Sequence, residues 1–332
     1  MKPRLAITMG DVNGIGPEIV VKILMNPELL ALCQPVIVGS ADALEKYALG
    51  QDVLARVVRA SESDLPAVAA DKVLLVEPAG AQAPVIVPGK VAADAGRFAF
   101  ECVKVAVRFA LAGKVDGIVT CPVSKTAVNL GGYHYAGHTE FLAELSGCRD
   151  YRMMLVAGQL CAVHVTTHLA LSAAIKLVTS DRVAGTIKLA YRAMRQLGIE
   201  RPRVAVAGLN PHAGEETLFG AEERDAIIPG IELARADGIG ATGPLPPDTV
   251  FMKMARGEFD VVVAMYHDQG HIPLKLAAFN RTVNVTIGLP FVRTSVGHGT
   301  AFDIAGKGIA DPTSLAEAIK VAAVMTAHRN RV

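Results

Sequence analysis

Three histidines each follow an apolar, strand-like run: His168 after Leu160-Cys-Ala-Val-His-Val-Thr-Thr, His212 after Val204-Ala-Val-Ala-Gly-Leu-Asn-Pro, and His267 after Val261-Val-Val-Ala-Met-Tyr. Ligands gather at the carboxyl ends of strands in α/β sheets, and neutral imidazole is the commonest protein ligand for Zn²⁺. Three nitrogen ligands with one open position are the catalytic form of a zinc-type centre, and Mg²⁺, Co²⁺ or Mn²⁺ fit the same donors. Within Leu160 to His168, His164 and His168 would share one strand face ~13 Å apart at ~3.3 Å per residue. That is too far for one ion, so the run offers a single ligand, His168 at its end. The same spacing separates His267 from His271 if the chain stays extended. Asp268 beside His267 and Glu215 near His212 are available as orienting carboxylates or further ligands.

A second set of groups suits an anion. Gly137-His138-Thr139-Glu140 reads as a loop feeding a helix N-terminus, where free N–H groups and the helix dipole favour phosphate, or where Thr139 simply caps the helix. Lys275, Asn284 and Arg293 fall near element ends, and an Arg fork with a Lys point charge is what a phosphate monoester or carboxylate asks for. The loop Gly10-Asp-Val-Asn-Gly14-Ile-Gly16 matches neither G-x-G-x-x-G nor a Walker loop.

The elements that must carry these residues alternate between strand and helix. Short β runs are expected at Leu5 to Met9, Pro35 to Gly39, Val73 to Val76, Gly117 to Thr120, Met153 to Val156, Leu160 to Thr166, Val204 to Leu209, Val261 to Met265 and Thr282 to Ile287. Helices are expected from Pro17 to about Met25, at Ala41 to Leu49 and Ala92 to Ala112, near 181–197 and 222–236, and from about Ser314. Residues 78–90 and Gly238 to Asp248 read as loops. This alternation predicts largely parallel sheets. At 332 residues the chain is long for one core, so two domains are expected. Lys plus Arg (33) nearly balances Asp plus Glu (32), which leaves no basic surface for nucleic acid. No apolar run approaches the roughly 20 residues of a membrane span. Five cysteines without a C-x-x-C pair suit a cytoplasmic chain with reduced thiols. The partners expected are a small molecule and another subunit.

Ile7-Thr-Met-Gly-Asp-Val-Asn-Gly-Ile-Gly-Pro-Glu18, Gly137-His-Thr-Glu140, Asn210-Pro-His-Ala-Gly-Glu215, Pro247-Asp-Thr249, Tyr266-His-Asp-Gln-Gly270 and Arg293-Thr-Ser-Val-Gly-His-Gly-Thr300 resemble the 4-hydroxythreonine-4-phosphate dehydrogenase family of vitamin B6 biosynthesis over nearly the whole chain. The resemblance implies a homodimer of two-domain subunits. A divalent metal, usually zinc, would be held by His168, His212 and His267, with the site completed across the dimer interface. It places substrate contacts on His138, Thr139, Lys275, Asn284 and Arg293, and implies NAD- or NADP-linked oxidation of a C3 hydroxyl. Asp248 and Asp268 are candidates for the general base. Val296 to Pro312 is also similar to the nucleotide segment of isopropylmalate and isocitrate dehydrogenases, which puts cofactor contacts on Gly297, His298, Gly299, Thr300, Ala301 and Asp303. By the same likeness the fold is two α/β/α domains around mixed, largely parallel sheets, with the active site in the interdomain cleft. Residues 1–120 with 281–332 would form the terminal domain and 121–280 the middle one. One departure bears on the substrate: where the biosynthetic branch continues Tyr266-His-Asp-Gln-Gly270 with Leu-Pro, this chain reads His271-Ile-Pro273. That form is more similar to paralogues acting on D-threonate or D-erythronate 4-phosphate, and to relatives acting on aromatic dihydrodiol carboxylates. Retention of His138, Thr139 and Arg293 favours a phosphorylated substrate, with the B6-pathway compound ranked first.

Overall fold

In a computed structural model the chain is described over residues 2–48, 52–135 and 137–329. It divides into two compact units: the first takes Met1–Arg149 and Leu289–Thr326, the second Asp150–Gly288 and Ala327–Val332. The chain therefore leaves the first unit after Arg149 and returns at Leu289, where the sequence puts the crossovers near residues 121 and 281. The intervening stretch belongs to the first unit for a local reason. The strand Gly117–Thr120 runs into a helix whose N-cap, Ser124, accepts the Ala127 N–H through its hydroxyl at 3.1 Å, and that helix packs on Ala93–Leu111.

In chain order the first unit holds β1 (Arg4–Thr8), α1 (Gly16–Leu24), α2 (Pro27–Leu32), β2 (Gln34–Val38), α3 (Ala41–Ala48), β3 (Val57–Ala60), β4 (Val73–Val76), α4 (Ala93–Leu111), β5 (Gly117–Thr120), α5 (Lys125–Leu130) and α6 (His138–Leu145). The second holds β6 (Arg152–Ala157), β7 (Leu160–His164), α7 (Leu171–Lys176), α8 (Ser180–Gln196), β8 (Val204–Ala207), α9 (Ile228–Ala236), β9 (Ala241–Leu245), α10 (Pro247–Ala255), β10 (Val261–Ala264), α11 (His267–Ala278) and β11 (Thr282–Ile287). The chain ends with β12 (Val292–Val296) and α12 (Thr313–His328). Leu49, placed at the end of α3 by the sequence, lies outside the described residues.

Strands of the first unit run β3-β4-β2-β1-β5-β12, every pair parallel. Those of the second run β11-β6-β7-β10-β8-β9, with β11, β6 and β7 antiparallel to their neighbours in turn and β7, β10, β8 and β9 parallel. The sheets are thus mixed and largely parallel. Central strands such as Val73–Val76, Val204–Ala207 and Val261–Ala264 are buried at every position, as expected where helices cover both faces. Among the described residues no helix is long and apolar enough to cross a membrane.

Candidate active site

β7, β10 and β8 are adjacent and parallel, so in the second unit their carboxyl ends open along one side. The strands end at His164, Ala207 and Ala264, and His168, His212 and His267 come just beyond them. His168 (φ 45°) and His212 (φ 53°) hold left-handed backbone conformations that side chains rarely adopt, a cost that tends to collect at functional sites. His168 and His267 line one cavity of about 400 Å³ with Thr166, Tyr266 and Asp268, their ring centroids 5.6 Å apart. His267 opens α11, and its Nδ1 lies 2.7 Å from Asp268 Oδ1. A carboxylate there accepts a hydrogen bond from Nδ1–H and leaves a lone pair on Nε2, the arrangement metal-binding histidines favour.

His212 stands on the neighbouring loop, its ring 5.9 Å from that of Phe219. The base of this loop is clamped by Glu223, a buried residue the sequence did not single out. Its Oε1 accepts the N–H groups of Leu209 and Asn210, both at 2.7 Å, and its Oε2 accepts Asn210 Nδ2 at 2.9 Å. Glu223 begins a π-helical turn, Glu223–Ile227, a feature common at functional sites.

Two expectations about spacing change. The chain after Tyr266 does not stay extended: it coils into α11, so His267 and His271 stand one turn apart with their rings stacked, centroids 3.6 Å and planes 13° apart. His164 and His168 do not share an extended face either, because β7 stops at His164 and the chain turns. His164 packs behind the site, with its Nε2 3.2 Å from His271 Nδ1. Burial pushes the pKa of His164 down to about 4 and that of His271 to about 3, so both are neutral at physiological pH. Of the two candidate bases, Asp268 lines the cavity, whereas Asp248 lies exposed in the first turn of α10 and is not part of that lining. Lys275 Nζ sits 6.0 Å from the Phe279 ring centre, and Asn284 on β11 keeps a buried Oδ1 without a hydrogen-bond partner among the described residues.

The first unit supplies the other anion groups. Arg293, 2 % exposed on β12, donates from Nη2 to Thr120 Oγ1 at 2.8 Å. Burial pulls its pKa down to about 10, against the charge of Glu140. His138 opens α6 with a buried Nε2 that has no hydrogen-bond partner among the described residues. Burial, and after it the charge of Arg293, hold its pKa near 3, so a neutral imidazole stands near a buried guanidinium. Thr139 follows it in the first turn of α6.

The glycine loop and the 297–303 segment meet within this same unit. Ile15 N–H donates to Thr300 O at 3.0 Å, and a Cβ on Gly14 would come 3.0 Å from Thr300, so the loop must approach closely there. Gly297 N–H donates to Ser314 Oγ at 3.0 Å, and His298 Nδ1 donates to Gly299 O at 2.9 Å. Ala301 takes a left-handed φ of 42°, and Asp303 is exposed. Asp11 is a residue the sequence could have flagged, since it lies inside the glycine motif. It is fully buried, accepts the Asn13 N–H at 3.0 Å, and burial raises its pKa to about 6.

The donor chemistry fits a divalent ion: two imidazoles face one cavity, one oriented by a carboxylate, and a third stands on the adjacent loop. Among the described residues no group of three His, Cys, Asp or Glu is already arranged around one point. The buried Nε2 of His298, without a hydrogen-bond partner among the described residues, suits a polar cofactor along that segment.

A family model described as pyridoxal phosphate biosynthetic protein PdxA matches residues 31–322. The D-threonate 4-phosphate dehydrogenase of Cupriavidus necator is 45% identical over 332 residues, 98% of each chain. The 4-hydroxythreonine-4-phosphate dehydrogenase of Beijerinckia indica is 46% identical over 319 residues, 96% of this chain and 94% of that one. The solved structure of 4-hydroxythreonine-4-phosphate dehydrogenase from Klebsiella pneumoniae superposes with a TM-score of 0.85 at 42% identity, covering 98% of this chain and 100% of that one.

Proposed function

The chain belongs to the PdxA family and is a dehydrogenase, and on that footing we propose that it oxidises the C3 hydroxyl of a four-carbon, 4-phosphorylated hydroxy acid with NAD or NADP. The observation that carries the reading is the cavity shared by His168 and His267, with Asp268 on the Nδ1 side of His267. When bound, a divalent ion, zinc in the first instance, would be held by His168, His212 and His267 and would supply Lewis acidity toward the C3 hydroxyl. A nicotinamide cofactor, the hydride acceptor, would lie along Gly297, His298, Gly299, Thr300, Ala301 and Asp303.

The chain's own residues do the rest. Asp268 holds the Nδ1 proton of His267 and fixes which nitrogen is free. As the carboxylate on the cavity wall it is also better placed than Asp248 to take the hydroxyl proton. Arg293 and Lys275 provide positive charge for the phosphate, with His138, Thr139 and Asn284 as hydrogen-bonding groups. Binding energy from this non-reacting end positions the reacting carbon. With a carboxylate β to the new ketone, the 3-oxo acid product decarboxylates readily. From 4-phosphohydroxy-L-threonine it would give 3-amino-2-oxopropyl phosphate.

A second reading of the substrate has a specific residue behind it. His271 stands where the biosynthetic branch carries leucine, which favours D-threonate or D-erythronate 4-phosphate, acids with a hydroxyl in place of the amino group. The named relatives include both activities at nearly the same identity. The deciding experiment is NAD⁺ and NADP⁺ reduction by zinc-loaded enzyme on 4-phosphohydroxy-L-threonine, on both 4-phosphoaldonates and on an unphosphorylated dihydrodiol acid. A kcat/KM preference for one phosphorylated acid names the substrate, and turnover of none of them overturns the reading.

The assembly we propose is a homodimer. Ile272, Leu276 and Phe279 form an exposed apolar stripe along α11 and its end, with Leu276 86% exposed, on the helix that begins with His267. A stripe of that kind calls for a covering partner, and a second copy would cover it. A nicotinamide-linked reaction and the buried free thiols of Cys33, Cys102, Cys121 and Cys161 suit the cytoplasm.

A further inference from the structure

Two histidines packed against the proposed ligand His267, His164 and His271, are joined in a chain whose proton positions follow from their partners. His164 Nδ1 lies 3.2 Å from the Met153 carbonyl oxygen, which can only accept, so Nδ1 carries a proton, and Nε2, which faces His271 Nδ1, is the acceptor of that pair. His271 Nδ1 lies 3.2 Å from that Nε2 and 3.0 Å from the His267 carbonyl oxygen, two acceptors, so His271 must donate from Nδ1 to both. The joint is tight: a Cβ on Gly270 would fall 2.5 Å from His164 Nε2. His271 is thereby fixed in rotation, and its face is the surface on which the His267 ring stacks at 3.6 Å. Asp268 holds an edge of His267 and His271 holds a face, which together leave the ring one orientation.

We infer that His164 and His271 are positioning residues for His267, a layer beneath the proposed metal ligands that sets the plane of that imidazole. The layer is specific to chains with histidine at 271, because leucine can neither donate to His164 nor present a flat ring. The inference rests on the metal reading of the cavity given above.

Metal affinity tests it without turnover. Metal-free protein is titrated with Co²⁺, followed by calorimetry and by the visible absorption of the bound ion, for wild type, H271N, H271Q, H164A and H267A. An asparagine amide carries its N–H close to where Nδ1 stands, whereas a glutamine amide carries it where Nε2 stands. The expected order of affinity is wild type, then H271N, then H271Q. H271Q and H164A should weaken binding about tenfold or more, in line with other residues that orient metal ligands, and alter the Co²⁺ spectrum. A role confined to filling space predicts the reverse order, since glutamine is nearer histidine in size. If H271Q fails to fold, H164A carries the same comparison from the other end of the chain. Wild-type affinity and spectrum in H271Q and H164A, with binding lost in H267A, would overturn the positioning role alone. Wild-type affinity in H267A as well would overturn the metal reading and this inference with it.

Discussion

Arg293 shows why residue type can be read from a sequence while its consequence cannot. Its position at an element end suggests an anion contact, but only the fold shows a guanidinium buried on β12 beside Thr120 and close to a neutral His138. Water does not compete for the N–H groups of a buried guanidinium, so a phosphate brought to Arg293 gains a strong, poorly hydrated donor. R293K keeps the charge and loses the planar fork. Charge-assisted hydrogen bonds contribute about 1.5–3 kcal/mol, so kcat/KM on the phosphorylated substrate should fall roughly ten- to a hundredfold, mostly through KM. Steady-state kinetics checks this, and an unchanged KM would remove Arg293 from the phosphate site. Asp11 and Glu223 were less legible than the histidines for a plain reason. A carboxylate's role depends on what it accepts from, and Glu223 reaches back along the chain to Leu209 and Asn210.

At the scale of elements, hydrophobic pattern located the buried parallel strands, and it failed where another force decides. Gly270 and Pro273 argue against a helix after Tyr266, yet α11 forms there with Pro273 inside it. That helix turns His267 and His271 from distant residues into stacked ones. Gly243 and Pro244 give the β9 segment the composition of a loop. Among the described residues it pairs only with β8, at the edge of its sheet, the position where a strand tolerates proline. β12 hides its strand character behind Arg293, Thr294 and Ser295, polar residues that are nonetheless buried. The π turn at Glu223–Ile227 carries its own prediction. E223A leaves the half-buried Leu209 and Asn210 N–H groups without their acceptor, where full burial would cost about 1–3 kcal/mol each and partial exposure keeps the sum toward the lower end. Denaturant unfolding should show a loss of about 2–4 kcal/mol. Metal affinity should fall with it, because the loop holding His212 loses its anchor. Loss of stability with unchanged metal affinity would separate Glu223 from the site.

For the molecule as a whole, the apolar stripe on α11 and the buried titratable groups lead to different measurements. If a second copy covers Ile272, Leu276 and Phe279, L276E places a charge in that contact, and light scattering should report monomers where wild type reports dimers. Acid stability follows from four buried groups. His138, His164 and His271 have folded pKa values near 3, 4 and 3, well below the ordinary value of 6.5. Above about pH 6.5 these rings are neutral whether folded or unfolded, and their burial carries no charge penalty. As pH falls below that, the unfolded chain takes up protons that the folded one refuses, so stability declines until the folded pKa values are reached. Asp11 works the other way: with a folded pKa near 6 against the ordinary 3.8, it takes its proton first in the folded state and adds stability as pH falls between those values. Near pH 5 the three histidines outweigh the one carboxyl by about two protons, a slope on the order of 2–3 kcal/mol per pH unit. Metal-free protein should therefore lose stability steeply from pH 6.5 toward 4. H271N, which removes one of the three rings, should lose it with a slope lower by about one proton. Urea unfolding at half-unit pH steps reads both slopes, and equal slopes for the two proteins would mean that His271 is not held neutral in the folded state.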